Sequence, residues 1–453
     1  MRRFRRHIAG LMVAVLLCVQ TGAAAAAGMT ILRDDEIESG LRAMSNPVLK
    51  QAGLVPESVN FVVIDNTELN AFVAGGQNIF LYSGLILQTN TPDELIGVIA
   101  HETGHISGGH LFRSQEVIAG LSMQAMLSMV VGLAVAVAAG APDAGLGAAS
   151  LGNTIAERQF LRHSRTQEGA ADQAGVRFLQ GAGLPVTGFL SFMKKLETQE
   201  LLPESQQSQY VLTHPLSQDR VEALQFAVDN GPAGATPADW NTMHQRIKAK
   251  LLGYLFPDRV LRQPVPAADD SNGNYARAIA LFRKGQPDAS LAVIDALLKA
   301  EPKNPYFYEL KGQVSLNAGR VEQAIAAYAR AVELSPDSSL IRIAYAHSLT
   351  EAKTDSPARL REAIKQLNSA MTREKYSSDP HYLMAIAYGR LGEEGMSRLH
   401  LAEEAMMQNR LDAARREAQL AKAQLKKDTP AYLRAEDILN ALPEATPANK
   451  KKR

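Results

Sequence analysis

The sequence predicts a mostly helical α+β fold, in which a first domain with a small sheet is followed by an α-solenoid. Short β-branched segments alternate with helical ones in the N-terminal half, and proline and glycine recur every 34 residues in the C-terminal half. The 453 residues, 46% hydrophobic and 21% charged, suffice for two or three domains and have no bias toward disorder.

Residues 1–27 have the pattern of a secretory signal peptide. Four arginines among the first six residues precede the apolar run Ile8–Val19 and the small residues Gly22–Ala27. An uncleaved anchor is the alternative, although the run is short for a bilayer span. Lipoprotein processing at Cys18 would need a small residue where Leu17 stands. Without the four arginines the formal net charge falls from +1 to −3, and no nucleic-acid partner is expected.

The first folded elements are predicted to be a helix and short strands. Asp34–Leu54 has helical apolar spacing, and Asn60–Ile64 is a short β-branched run. In Asn70–Tyr82 the pair Gly75-Gly76 interrupts two apolar runs, which predicts a turn between two strands or a bend in one. A strand there could bind an extended peptide by pairing with it, or could belong to an ordinary core hairpin.

A capped helix carries His101-Glu102-Thr103-Gly104-His105. Thr91-Pro92-Asp93-Glu94 supplies a helix start with the capping-box pattern. Histidines four residues apart share one helix face and can bind one metal ion, while Glu102 can accept a proton from the attacking water. Because Leu95–Ala100 is apolar on every face, the helix is expected to be buried, where a metal ion would satisfy its polar groups.

The third protein ligand has to come from elsewhere in the chain. The zincin class with an extended motif needs a histidine where Leu111 stands, so His110 is interpreted as a structural residue or one that contacts a ligand. The other class takes a glutamate from a later helix. Glu168 would ligate, and Asp172, four residues on, would accept the outer N–H of a ligand histidine. A solvated helix face is the alternative for this pair.

Several short motifs together resemble the HtpX-related gluzincin metallopeptidases over residues 31–228. The signal peptide and helical repeats resemble the BepA-type periplasmic members of that family. The motifs are Asn70-Ala71-Phe72, Gly84-Leu85, His101-Glu102-Thr103-Gly104-His105 with His110, Ser164-Arg165 with Glu168 and Asp172, and Thr213-His214-Pro215 with Arg220.

The resemblance implies a zincin-type fold and one Zn²⁺ per chain, bound by His101, His105 and Glu168. It implies Glu102 as general base and Asp172 as a supporting acidic residue. It also implies that His214 lies near the metal and closes its open position in a resting state, with Arg220 in the same motif.

The resemblance further implies a periplasmic location and roles in protein quality control and outer-membrane protein assembly. Unfolded or misassembled proteins would be substrates, and the repeats would contact the assembly machinery. Chaperone-like activity is expected beside proteolysis.

The segment Ala125–Ala141 is almost wholly apolar and has three interpretations. It is short for a transmembrane helix, and a buried core helix is the second possibility. The favoured interpretation is a lid or membrane-surface segment spanning residues 125–150, because the two motif helices have to meet in one site. Contact with a membrane surface would follow from it.

The proline-rich stretch Gly231–Asn274 predicts a domain boundary. We expect a metallopeptidase domain at residues 28–265, a tetratricopeptide repeat domain at 266–442 and a basic tail at 443–453. A 34-residue period predicts at least two repeats, and Ala402–Leu425 is a degenerate further unit. Plain helical hairpins without a binding role are the alternative. The periodic residues are Pro302 and Pro336, Gly285 and Gly319, and the small or aromatic Tyr308, Gly312, Ala324, Tyr328, Ala331 and Ala346.

The function predicted from the sequence is a zinc metalloendopeptidase with a repeat scaffold. Two alternatives remain at this point. One is a repeat-based assembly chaperone or adaptor with little proteolysis, and the other is a membrane-embedded protease.

Overall fold

The computed structural model describes residues 30–110, 165–200, 207–353, 356–374 and 377–442. The predicted signal peptide, the segment Ala125–Ala141 and the basic tail lie outside these residues. The described residues form two compact units, which divide between Lys284 and Gly285. None of their helices is both long and apolar enough to cross a membrane.

The first unit contains a four-stranded sheet in the order β1-β2-β4-β3, in which β2 and β4 are parallel and the other two pairings antiparallel. Gly75 and Gly76 have φ values of 59° and 92°, so they form the turn of a hairpin, which decides between the two predicted geometries. β1 and β3 are the two edge strands of the sheet among the described residues. The strands are β1 (Thr30–Leu32), β2 (Asn60–Asp65), β3 (Ala71–Ala74) and β4 (Asn78–Tyr82).

Ten α-helices accompany this sheet in the part of the unit that the structure describes, and α3, which bears the histidine motif, packs against α1, α4 and α5. As predicted, α3 is buried along most of its length. The helices are α1 (Asp35–Gln51), α2 (Ser83–Gln88), α3 (Pro92–Ser107), α4 (Arg165–Gly181), α5 (Thr187–Glu200), α6 (Gln209–Thr213), α7 (Gln218–Asn230), α8 (Trp240–Leu255), α9 (Pro257–Arg262) and α10 (Ser271–Arg283).

The start of α3 differs from the predicted capping box in one contact. Thr91 caps the helix by accepting the Glu94 N–H at 3.3 Å. The Glu94 carboxylate, however, accepts the N–H of Asn90 at 2.7 Å, and its other oxygen accepts the Ser191 hydroxyl at 2.8 Å. Because Ser191 lies on α5, Glu94 joins the start of α3 to a neighbouring helix.

The second unit is built of nine helices that pack in sequential order. Gly285, Gly319 and Gly392 have φ values of 73°, 72° and 76° in the turns, and Asn409 takes 55° at the matching place in the degenerate repeat. A Cβ at Gly312 would lie 2.7 Å from the Tyr328 ring. These helices are α11 (Pro287–Ala300), α12 (Pro305–Asn317), α13 (Val321–Leu334), α14 (Ser339–Thr350), α15 (Pro357–Ala370), α16 (Asp379–Arg390), α17 (Glu394–Met407), α18 (Leu411–Gln424) and α19 (Pro430–Ala441).

The fold-class prediction, a small sheet with helices followed by repeated helical pairs, is confirmed. The compact units divide later in the chain than the predicted boundary at residues 265/266. The reason is α10, which packs against α8 and α9 and places the buried Tyr275 hydroxyl 2.8 Å from the Glu36 carboxylate.

Candidate metal centre

Helices α3 and α4 approach closely because a glycine faces the partner backbone in each of them. A Cβ at Gly104 would lie 2.6 Å from the Ala171 carbonyl oxygen, and one at Gly175 would lie 3.2 Å from the Ala100 carbonyl carbon. This close packing brings Glu168 and Asp172 of α4 beside the histidines of α3, and both acidic residues are buried. The solvated-face alternative for this pair is therefore wrong.

Gly104→Ala is expected to lower the free energy of unfolding of the first unit by about 1–3 kcal/mol, because the added methyl overpacks the helix contact. Urea denaturation followed by fluorescence of Trp240, the chain's single and buried tryptophan, measures it. Gly169→Ala on α4 is the control, since its Cβ meets nothing within 4 Å, and it should stabilise by about 0.5–1 kcal/mol. Equal effects of the two changes would contradict the packing argument.

Four side chains converge on one point between these helices: His101, His105, Glu168 and His214, with ligand atoms all within 4.8 Å of one another. His101 Nε2 lies 3.1 Å from His105 Nε2 and 3.4 Å from Glu168 Oε2. His105 Nε2 lies 3.3 Å from Glu168 Oε1. His214 Nδ1 lies 3.1 Å from Glu168 Oε1 and 3.3 Å from His101 Nε2.

A buried chain of hydrogen bonds, from His101 through Asp172 to Arg220, holds the four converging side chains in place. His101 Nδ1 lies 2.8 Å from Asp172 Oδ1. Arg220 donates to both Asp172 oxygens, at 2.5 and 2.9 Å, and its Nη1 lies 3.0 Å from Glu168 Oε2. The same Nη1 donates to the Pro215 carbonyl at 2.8 Å. Arg220 therefore holds both carboxylates of α4 and the segment that follows His214.

The electrostatics of the cluster favour a cation. Burial lowers the pKa of His101, but hydrogen bonds to Asp172 and Glu168 outweigh burial and raise that pKa to about 10. Burial raises the pKa of Glu168, yet His214 and His101 bring it far below its usual range. Two imidazoles and a carboxylate form the donor set of a catalytic zinc site, so these residues fit a bound metal ion.

The Glu102 carboxylate has no hydrogen-bond partner among the described residues, and the His214 Nε2 atom lies 3.6 Å from its Oε1. Both of its carboxylate oxygens are buried, and no described residue donates a hydrogen bond to either. Burial, the largest influence, raises its pKa. An unsatisfied buried carboxylate costs roughly 1–3 kcal/mol or more, and a water molecule beside a bound metal would supply the missing donor. This orphaned group is a second sign that the site accommodates a metal ion and a water.

The segment around α6 lies along the edge strand β3. The Tyr210 N–H donates to the Leu69 carbonyl at 3.2 Å, and His214 Nε2 lies 3.3 Å from the Ala71 carbonyl oxygen. The Tyr210 ring stacks on His214 with centroids 4.5 Å apart. Residues 210–214 therefore contact the Ala71 carbonyl at the start of β3 and the Leu69 carbonyl just before it, in the segment where the sequence suggested that a peptide could pair.

His110 and Tyr210 complete the surroundings of the cluster. His110 Nδ1 lies 2.9 Å from His105 Nδ1. Tyr210 was not predicted. Its fully buried hydroxyl has no described hydrogen-bond partner, and the only sequence signal was its position four residues before His214.

The residues of this centre lie within one matched family domain. Residues 33–228 match the model of peptidase family M48, and residues 275–339 match a tetratricopeptide repeat model. The family resemblance and the repeat prediction made from the motifs are thereby confirmed.

Curated relatives extend the similarity over most of the chain. The beta-barrel assembly-enhancing protease of Escherichia coli is 25% identical over 399 residues, which cover 85% of this chain and 78% of that protein. Its namesake in Yersinia pestis is 24% identical over 342 residues, covering 73% and 69%. The Escherichia coli metalloprotease LoiP is 30% identical over 168 residues, covering 37% and 62%. The chain is thus a metallopeptidase, in which residues 33–228 match peptidase family M48 and residues 275–339 match tetratricopeptide repeats.

Proposed function

We propose that this chain is a zinc-dependent endopeptidase of the periplasm that acts in protein quality control and outer-membrane protein assembly. The observation that carries the enzymatic part is the convergence of His101, His105 and Glu168 beside the orphaned carboxylate of Glu102. The assembly role draws its support from the named function of the relatives that cover most of the chain.

His101, His105 and Glu168 would hold the ion, and Asp172 with Arg220 orients two of these ligands. Zinc bound there supplies a Lewis acid that activates water and polarises a peptide carbonyl. Glu102 accepts the proton of the attacking water and then delivers it to the leaving amine.

Removal of the metal tests the zinc assignment. Dialysis against a chelator is expected to abolish casein cleavage, and one equivalent of Zn²⁺ added back should restore it, because two imidazole nitrogens and a carboxylate favour zinc. Elemental analysis of the protein as purified reports the native ion. Full cleavage by a protein shown to be metal-free would overturn the proposal.

His214 is proposed to close the open position of the metal in a resting state. Its Nδ1 lies as near to the ligand atoms of His101 and Glu168 as these atoms lie to each other. A substrate pairing with β3 would have to displace it, because His214 Nε2 also contacts the Ala71 carbonyl. His214 and a substrate paired with β3 would therefore occupy the same edge of the sheet.

His214→Ala is expected to raise the rate of casein cleavage at low substrate concentration, since opening no longer breaks these contacts, and to leave the metal content unchanged. Initial rates and elemental analysis measure the two quantities. Phe226→Ala is the control, because this side chain is 67% exposed on α7, outside the centre. Unchanged proteolysis with the metal retained would count against the gate.

The repeats are proposed to bind clients and the outer-membrane assembly machinery, because stacked helical repeats present extended surfaces for protein partners. A chaperone or adaptor activity can coexist with proteolysis on one chain. A cleavage-dead protein that still supports client assembly would favour the adaptor role. Loss of both functions together would assign assembly to proteolysis.

A further inference from the structure

A second cluster of metal-ligating side chains lies within the repeat unit. It consists of His381 on α16 and of His400 and Glu403, one helical turn apart, on α17. The Nδ1 atoms of the two histidines lie 3.1 Å apart. Glu403 Oε2 lies 2.8 Å from His381 Nδ1 and 2.9 Å from His400 Nδ1.

Hydrogen bonds alone do not satisfy this triangle. One ring N–H can point to the other ring nitrogen, but neither ring aligns an N–H with Glu403 Oε2, which is buried and has no aligned hydrogen-bond donor among the described residues. His381 and His400 are only 6% and 3% exposed. A buried acceptor without a donor costs about 1–3 kcal/mol, whereas one cation would satisfy all three atoms at once.

The dimensions agree with a coordination sphere. Tetrahedral zinc with bonds of about 2.0–2.1 Å places its ligand atoms roughly 3.3 Å apart. The three edges of this triangle measure 2.8, 2.9 and 3.1 Å. Among His101, His105 and Glu168 the histidine nitrogens lie 3.1 Å apart, and they lie 3.3 and 3.4 Å from Oε1 and Oε2 of Glu168, respectively. Slight expansion of the second triangle would admit an ion of the same size.

The surroundings hold the three ligands in place. Arg434 of α19 forms an ion pair with Oε1 of Glu403, which leaves Oε2 directed at the histidines. The Tyr388 ring stacks on His400 at a centroid distance of 5.4 Å and an interplanar angle of 6°.

We propose that His381, His400 and Glu403 form a structural site for a divalent transition-metal ion, with zinc as the expected occupant. Two imidazoles and one carboxylate favour zinc over magnesium or calcium, which prefer sites made of oxygen atoms. The ion would clamp α16 to α17, and through Arg434 it would also restrain α19. Its role is thermal stability of the repeat unit, independent of peptide hydrolysis.

Zinc stoichiometry of the full chain, without a histidine tag, tests this proposal. After loading with Zn²⁺ and dialysis, the wild-type protein should hold about two ions. His400→Gln and Glu168→Gln should each hold about one, and the double variant none. Zinc should also raise the midpoint of thermal unfolding in Glu168→Gln but not in the double variant. Because Glu168→Gln removes only the candidate catalytic ion, the experiment tests the catalytic site and the structural site independently.

His347→Gln is the matched control, because His347 on α14 lies 3.6 Å from a single carboxylate oxygen, that of Glu351, and belongs to no cluster of three ligands. It should keep both ions. If circular dichroism shows that His400→Gln has lost helix, Glu403→Gln, which keeps the side-chain shape, takes its place. Equal zinc contents in the wild type and the folded variant would overturn the proposal and assign the triangle to a metal-free hydrogen-bonded network.

Discussion

Glu102→Gln is expected to lower kcat/KM for casein by about 10²–10⁴-fold, the usual contribution of a general acid–base group. An amide of the same shape cannot accept the proton. The bound metal should remain, because Glu102 lies outside the cluster of His101, His105, Glu168 and His214. Stability should not fall either, since neither oxygen of Glu102 has a hydrogen bond to lose.

The measurements are initial cleavage rates, zinc content and thermal unfolding on the same preparation. Glu197→Gln makes the same chemical change on the exposed face of α5 and should alter none of them. Cleavage at the wild-type rate by a zinc-loaded Glu102→Gln protein would show that another group accepts the proton.

Arg220→Met is expected to lower the free energy of unfolding of the first unit by about 3–5 kcal/mol, the range seen when one partner of a buried ion pair is removed. The change leaves the buried carboxylates of Glu168 and Asp172 without their cation. It also removes the donor to the Pro215 carbonyl. Since Trp240 is the chain's single tryptophan and lies in this unit, its fluorescence in urea reports the loss without interference from the repeats.

The comparison should be made in chelator, so that metal binding does not contribute to the free energy. Arg33→Met, which breaks the partly exposed pair with Glu38, is the control and should cost about 0–1 kcal/mol. The loss of free energy of unfolding in Arg220→Lys should fall between those of Arg220→Met and Arg33→Met, because an ammonium keeps the charge but not the two parallel hydrogen bonds to Asp172. A loss below about 1 kcal/mol in Arg220→Met would contradict the assigned role.

Local periodicity explains which parts of the centre could be predicted. His101 and His105 share a helix face by spacing alone, and the apolar run before them predicted burial of α3. The same spacing related Glu168 to Asp172 but could not tell whether that face was buried. Burial depends on the approach of α4 to α3, and nothing within either helix encodes that approach except the glycines at the contact.

Contacts between distant segments explain what was missed. Arg220 entered only through family resemblance, because no local pattern relates it to Asp172, 48 residues earlier in the chain. Tyr210 has a side chain typical of any core, and its place on His214 results from the fold of the α6 segment. The sequence did not predict the second triangle, because His381 and His400 lie on separate helices. The repeat period predicts that these helices pair, but not which of their side chains meet.

The contacts of Tyr210 with Leu69 and of His214 with Ala71, at the start of β3, have a consequence for kinetics. A polypeptide pairing with this strand competes with a piece of the enzyme itself, which is present at every substrate concentration. The apparent dissociation constant of the substrate is then its intrinsic dissociation constant divided by the fraction of enzyme molecules in which the β3 edge is free. A thousandfold closed preference would cost about 4 kcal/mol of apparent affinity. Such a protease would spare proteins that expose an extended segment only briefly and degrade those that stay unfolded.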